Sequence, residues 1–413
     1  MAEQKQTAIG QSLRYIVNGL LVTVFLLAIK LSFEQTQAYA WFRQTVCEWL
    51  TSTLPSFREK GQSVIVVDIS HLPGGTPDAN NKELVTSRAA LRKLLTVLAE
   101  LQPRAVAIDI DFSPNPQGWR TAQDPAFFDF CLSLSARMPV VLGVYRSQAE
   151  PAQAWLGAPA YAPLAASMLL DPDNLLYVPV WLQAPGVGQR LPSLAAALAW
   201  ARYGPRTSWL DNYAPWVFRL NERHIDSTDP AGLQIAEVLV NYSGVRQMIS
   251  ETIRITSAEQ LYRHGAQIKN RLVLLGAVDQ ATDKFAVPGL KIPRAGVFVH
   301  AGAAFTLASE PVYALGHSSA VALDLLVSLF VLLVVVRARR GQLTTQPRKR
   351  EAAQTRALAW AVVGVMAGGF AVVYFARIFW YDFVFVMLFL LLHSAAEKRW
   401  HHLRGAFKTG DRT

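Results

Sequence analysis

The chain has 413 residues, 52% of them hydrophobic and 17% charged, which is too long for one small domain and too apolar for an ordinary soluble protein. A net charge of +10 would suit nucleic acid, but the basic residues crowd beside apolar runs, at Arg337, Arg339, Arg340, Arg348, Lys349, Arg350 and Arg356 and at Lys398, Arg399, Arg404, Lys408 and Arg412. That placement reads as a topology signal, so nucleic acid is not expected as a partner.

Residues 13–31 are apolar apart from Arg14, Asn18 and Lys30, and are long enough to cross a bilayer. Ala38-Tyr39-Ala40 resembles a signal-peptidase site but lies too far beyond that run, so the run reads as an uncleaved anchor with residues 1–12 inside. A helix from Tyr39 to Leu50 follows.

Ser63–Ser70 is an apolar strand ending in Asp68, and a Pro/Gly/Asn-rich loop leads to a helix over Ser87–Leu101 with Leu91, Leu94, Leu95, Leu98 and Leu101 on one face. The stretch Pro103–Pro114 is a second strand, in which Asp109 and Asp111 share one face while Ile108 and Ile110 take the other. A helix over Pro125–Arg137 leads to a strand over Met138–Tyr145.

Strand, helix, strand, helix, strand with short connections predicts a parallel sheet covered by helices. Trp216–Leu220 and Leu233–Tyr242 alternate more clearly and are expected as antiparallel edge strands, which makes the sheet mixed but mostly parallel. Arg271–Val278 is a further apolar strand, followed at once by Asp279 and Asp283, and a small-residue helix over Gly296–Ser309 carries His300.

Three more apolar runs follow, at 318–336, 357–376 and 378–394, the first interrupted by Asp324. The fold class is therefore α/β, a membrane-anchored, extracytoplasmic, mostly parallel sheet covered by helices, plus four transmembrane helices. The domain at 32–316 lies in the periplasm of a bacterial inner-membrane protein, and the basic loop 337–356 and tail 395–413 lie in the cytoplasm. Ionisable groups inside a bilayer are expensive and are usually paired, so Lys30 and Asp324 are expected to meet across the first two spans. Cys47 and Cys131 both fall on the oxidising side, which leaves open a disulfide or two buried thiols.

Ligands in open parallel sheets bind beyond the carboxyl ends of the strands. Asp68, Asp109, Asp111, Asp279 and Asp283 all fall there, with Gly143 and Gly276 allowing close backbone approach. They and His300 are the candidate ligand-binding residues, for a cation, an amine or a polyhydroxyl compound. The competing reading has these acids capping helices and loops or pairing with arginines, and His300 as a hydrogen-bonded core residue. No Gly-rich phosphate loop, zinc-spaced Cys/His set or nucleophile elbow occurs. No cofactor is therefore expected, and a metal is left open.

Several blocks in order resemble the CHASE2 extracellular sensor domain of bacterial membrane signalling proteins. They are Val64–Ile69, Arg88–Leu95, Arg104–Phe112, Pro139–Gly143, Pro192–Ala195, Val240–Gly244, Lys269–Ala277, Asp283–Phe285 and Gly296–Ala304. The resemblance covers residues 40–316 and implies sensing of an environmental or envelope signal, relayed through the membrane to a cyclase or kinase. Only residues 395–413 follow the last span, too few for a catalytic domain. The expectation is therefore a sensor that is not itself an enzyme and works through a separate cytoplasmic or membrane signalling protein, with a homodimer left open. The alternative is a scaffold or assembly subunit that senses nothing. Asp109-Ile-Asp-Phe-Ser113 also superficially matches the nucleophile motif of haloacid-dehalogenase-like phosphatases, but Ser113 is out of place and no motif lysine is seen.

Overall fold

The computed structural model describes residues 28, 31–33, 36–53, 64–72, 76–77, 84–114, 118–144, 161–172, 175–183, 190–201, 221–225, 233–279, 283–309, 312–315, 317–340 and 347–380. The chain divides into two compact units, residues 48–313 and residues 1–47 with 314–413.

The first unit is built on a parallel sheet. Its strands are β1 (Val64–Asp68), β2 (Ala105–Asp109), β3 (Val140–Val144) and β4 (Ala165–Ser167). A second sheet is formed by β5 (Tyr177–Gln183), β6 (Leu191–Pro192), β7 (Asn221–Ile225) and β8 (Leu233–Leu239). Two late strands, β9 (Ile253–Arg254) and β10 (Leu272–Gly276), rejoin the first sheet, whose order is β9-β1-β10-β2-β3-β4 with every pairing parallel. The late strand β10 thus lies between β1 and β2, in register Val64↔Leu272 and Leu272↔Ala105.

Alternation sorts the strand side chains into two layers. Ile65, Val67, Val106, Ile108, Val273 and Leu275 pack with α1 (Arg88–Leu101) and α2 (Asp124–Ser135). Val64, Val66, Ala105, Ala107, Leu272 and Leu274 face α3 (Leu194–Trp200), α4 (Val245–Ser250) and α5 (Gly296–Ala308). The small Ala105 and Ala107 on the central strand leave room for helices on that side. Ile110 and Phe112 join the first layer beyond the end of β2, so the expected alternation with Asp109 and Asp111 persists past the paired strand.

Helix α1 starts where the Ser87 hydroxyl accepts from Ala90 N at 3.2 Å, and stops at Gln102, whose φ of 56° is left-handed. Between α1 and α2 lies a feature the sequence pattern does not announce. Arg88 Nε donates to Asp124 Oδ1 at 2.6 Å, with both side chains 1% exposed, and the guanidinium lies 4.5 Å from the Phe112 ring centroid. Asp124 also accepts from Thr121 N and Thr121 Oγ1. Burial lowers the Arg88 pKa, and Asp124 opposes that shift.

One expectation changes here, and one alternative left open is decided for Cys131. The alternating segment Leu233–Leu239 pairs antiparallel in its own four-stranded sheet, ordered β6-β5-β8-β7, and does not extend the parallel one. Cys131 is a free thiol buried against the α1 layer, and burial pushes its pKa up to about 12. Trp216–Leu220 lies outside the described residues.

In the second unit, α6 (His317–Arg340) and α7 (Pro347–Ala371) pack through Leu323, Val327, Val334, Ala361, Val365 and Met366. Their outward residues are apolar and exposed, among them Leu326, Phe330, Leu333, Trp360 and Val363. Among the described residues one helix, Ala359–Ala376, is long and apolar enough to cross a membrane, and Ser319–Phe330 is a shorter apolar stretch. The expected spans at 13–31 and 378–394 fall almost wholly outside the described residues, and so does Lys30. Asp324 is buried and accepts from Trp380 Nε1 at 2.9 Å, a partner nonlocal in sequence.

Removing one member of a buried ion pair strands the other. Asp124→Ala is expected to cost about 3–5 kcal/mol. The double substitution Arg88→Met with Asp124→Leu should regain most of that loss. Denaturant unfolding of the full-length protein in detergent measures both. In the second unit, Trp380→Phe should weaken the fold by about 0.5–1.5 kcal/mol, read in the same way.

Candidate functional site

The carboxyl ends of β1, β10 and β2 form one edge, and there the chain parts to opposite faces. After β1 and β2 it turns to α1 and α2 on one face, and after β10 to α5 on the other. Such a divergence opens a crevice at the strand ends, where ligands of open α/β sheets bind. The sequence-predicted acids all lie along this edge, but in three separate arrangements.

Asp68 and Asp111 are held by their own loops. Asp68 Oδ1 accepts from Ser70 N at 3.0 Å and from Ser70 Oγ, and Val278 N donates to both Asp68 Oδ1 (3.2 Å) and Ser70 Oγ (2.9 Å). This ties the end of β1 to the segment leaving β10. Asp68 Oδ2 is buried without a hydrogen bond among the described residues, 4.0 Å from the exposed Arg254 side chain. Asp111 accepts from Ser113 N at 2.9 Å and pairs with Arg120, which also donates to Ser113 O. Both are Asp-x-Ser turns, in which a carboxylate accepts from the amide two residues on.

Asp279 takes a different course. It is half exposed and lies 3.1 Å from His71 Nε2.

Asp109, Asp283 and His300 come together. Asp109 at the end of β2 is 7% exposed and its Oδ1 lies 3.9 Å from Nε2 of His300, which is 3% exposed. His300 sits just over one turn into α5, and its Nδ1 meets no hydrogen-bond partner among the described residues. Asp283 Oδ2 accepts from Gly296 N, the first residue of α5, at 3.1 Å, which places a carboxylate at the positive end of the helix. Burial pushes the Asp109 carboxyl up to about 8, and the Asp283 charge adds to that shift. Burial drives the His300 imidazole down to about 4, against a hydrogen bond that the ring donates to the Met168 backbone carbonyl. Asp283 is raised by burial, with the Gly296 amide opposing. At neutral pH the arrangement therefore holds a protonated Asp109 beside a neutral imidazole.

The glycines act on the protein itself. A Cβ at Gly276 would lie 2.6 Å from Val297 Cγ2 and 3.2 Å from Asp109 Cβ, so this glycine lets the first turn of α5 lie directly on the strand end. A Cβ at Gly143 would meet Met168 and come 2.8 Å from Ile110 O. The backbone approach expected for a ligand is used instead by Val297 and Met168.

The resembling motif blocks also converge on α5. Asn241 N donates to Thr306 Oγ1 at 2.8 Å, Tyr242 OH donates to Leu175 O at 2.5 Å, and a Cβ at Gly302 would lie 3.0 Å from Val245 and 3.2 Å from the Tyr242 ring. Sequence reasoning did not find Arg120, Ser70 or Met168 as parts of this edge. The Asp-x-Ser spacing was a readable signal for the Ser70 turn; nothing local marks Met168. Among the described residues no group of three or more His, Cys, Asp or Glu side chains could hold a metal ion.

A family model for the CHASE2 domain matches residues 19–336. No curated protein and no solved structure matches the chain. The matched stretch covers most of the 413 residues, and it takes in the parallel sheet, the acidic edge and α5. The chain belongs to the CHASE2 domain family of extracellular sensor domains.

Proposed function

We propose that this protein is a membrane-bound extracytoplasmic sensor that relays an envelope or environmental signal through its membrane helices to a separate cytoplasmic partner. The observation that carries this reading is the reach of the family match, residues 19–336. It starts inside the apolar run 13–31 and ends with the apolar run 318–336, so the family unit takes in part of the first run and all of the second, one on each side of the domain.

The outward apolar faces of α6 and α7 support spans at those two helices, and the apolar runs 13–31 and 378–394 supply the other two, with the domain outside and the basic loop and tail inside. Asp324, held by Trp380, is the kind of buried polar contact that sets the packing of helices in lipid. The sensing end is the edge around Asp109, Asp283 and His300, because it lies against the start of α5 and only residues 309–316 separate α5 from α6. A stimulus acts through this edge only if it stabilises one arrangement of α5 over another. No catalytic role is assigned to the chain.

The scaffold reading keeps one specific observation in its favour. Asp68 and Asp111 are occupied by their own loops, as they would be in a domain that binds nothing at that edge.

Two measurements test the proposal. In a Cys47→Ser background, Asp279→Cys is expected to react with a membrane-impermeant thiol reagent in intact cells, and Arg348→Cys only after the inner membrane is opened. The reverse pattern refutes the topology. Full-length protein extracted in mild detergent is expected to carry a stoichiometric kinase, cyclase or regulator whose output changes when α5 is perturbed by Gly276→Val. Purification alone or with envelope-assembly proteins turns the assignment to a scaffold.

A further inference from the structure

We propose that the cluster of Asp109, Asp283 and His300 is a proton-binding site, and that loss of its proton releases the first turn of α5. This rests on the sensing role proposed above and names its stimulus, an alkaline shift outside the membrane.

The geometry carries the inference. An imidazole and a carboxyl are enclosed 3.9 Å apart with side chains 3% and 7% exposed, and one ring nitrogen has no partner among the described residues. A structural histidine has both nitrogens satisfied; this one has room for a proton without a fixed acceptor. The third member, Asp283, is bound to the N-terminal amide of the helix that carries the imidazole. Any new charge on Asp109 therefore acts on the anchor of α5 itself.

The groups facing the cluster come from four directions. Strand β2 supplies Asp109, the connection from β10 supplies Asp283, α5 supplies His300, and the segment after β4 supplies the Met168 main chain. The ribbon formed by Lys284–Phe285 and Arg294–Ala295 carries exposed Lys284 and half-buried Arg294 next to the Asp283 loop. Asp111 is engaged by Arg120, and Asp279 by His71.

The direction of the response follows from linkage. Asp109 is raised from 3.8 to about 8 on folding, so the stability it contributes is complete below its unfolded value and is lost as pH rises through about 8. Asp283, also raised, adds in the same direction. His300 is lowered from 6.5 to about 4, so its contribution is complete above its unfolded value and is lost as pH falls through about 4. The two opposing slopes cancel between those acid limits. From pH 6.5 to about 8 Asp109 acts without His300, and a second negative charge forms next to Asp283 in a low-dielectric enclosure.

The test is amide hydrogen exchange on the full-length protein in detergent between about pH 6.5 and about pH 9, corrected for the intrinsic base catalysis of exchange. Protection of residues 296–308 is expected to fall by about tenfold for each pH unit from pH 6.5 upward and to level off through a midpoint near 8. Asp109→Asn should abolish the fall. Asp283→Asn should move the midpoint to lower pH, because a neighbouring negative charge is gone.

Protection that stays constant in the wild type, or falls equally in Asp109→Asn, overturns the proton site. Should Asp109→Asn fail to fold at the lower pH, an unmoved midpoint in Asp283→Asn overturns it instead. Exchange in residues 317–340 separates the two proposals. A response in α5 with none in α6 leaves the proton site standing and removes the relay.

Discussion

The structure depends on burying one helix that has no polar face. Every residue of α5 from Gly296 to Leu307 is buried, so its terminal amides and its two polar side chains must find partners inside the protein. Thr306 answers with a bond to Gly302 O and another from Asn241 N, and Asp283 takes the first amide. His300 is the residue for which this accounting does not close. The sheet adapts as well, presenting Ala105, Ala107 and Gly276 where α5 and its neighbours approach. A helix so enclosed cannot shift without repacking what surrounds it.

The five acids at the strand ends show why shared position does not mean shared role. Two are turned back by a serine two residues on, one meets a surface histidine, and two face the helix. Burial raises the last two, and Asp109 is the one whose pKa is brought close to neutrality. Electrostatic consequence follows what surrounds each carboxylate, not the count of carboxylates.

Much of this was legible in the chain because it is local. The helix over Arg88–Leu101 shows its apolar stripe and its Ser87 cap, and the first two parallel strands show as short apolar runs ending in acids. What was hidden is nonlocal. The Arg88–Asp124 and Asp324–Trp380 contacts join residues far apart in sequence, and no periodicity encodes them. The short strands β4, β6 and β9 are two or three residues long, below the length at which alternation can be read. Asp109, Asp283 and His300 were each picked out for their place at the strand ends or on a helix, but their meeting depends on how β10 enters the sheet.

That entry has a consequence for how the domain comes into being. Strand β10, at Leu272–Gly276, fills the gap between β1 and β2, strands that end more than 160 residues earlier in the chain. Until it arrives, the inner edges of β1 and β2 have no partner, and the two early βα pieces cannot become one sheet. A nascent chain carrying only the first two hundred or so residues therefore displays sticky open edges for the whole time its middle is being made. Closure is a single late event, the wedging of one apolar pentapeptide into a waiting slot, and assembly of the domain is governed from its C-terminal third.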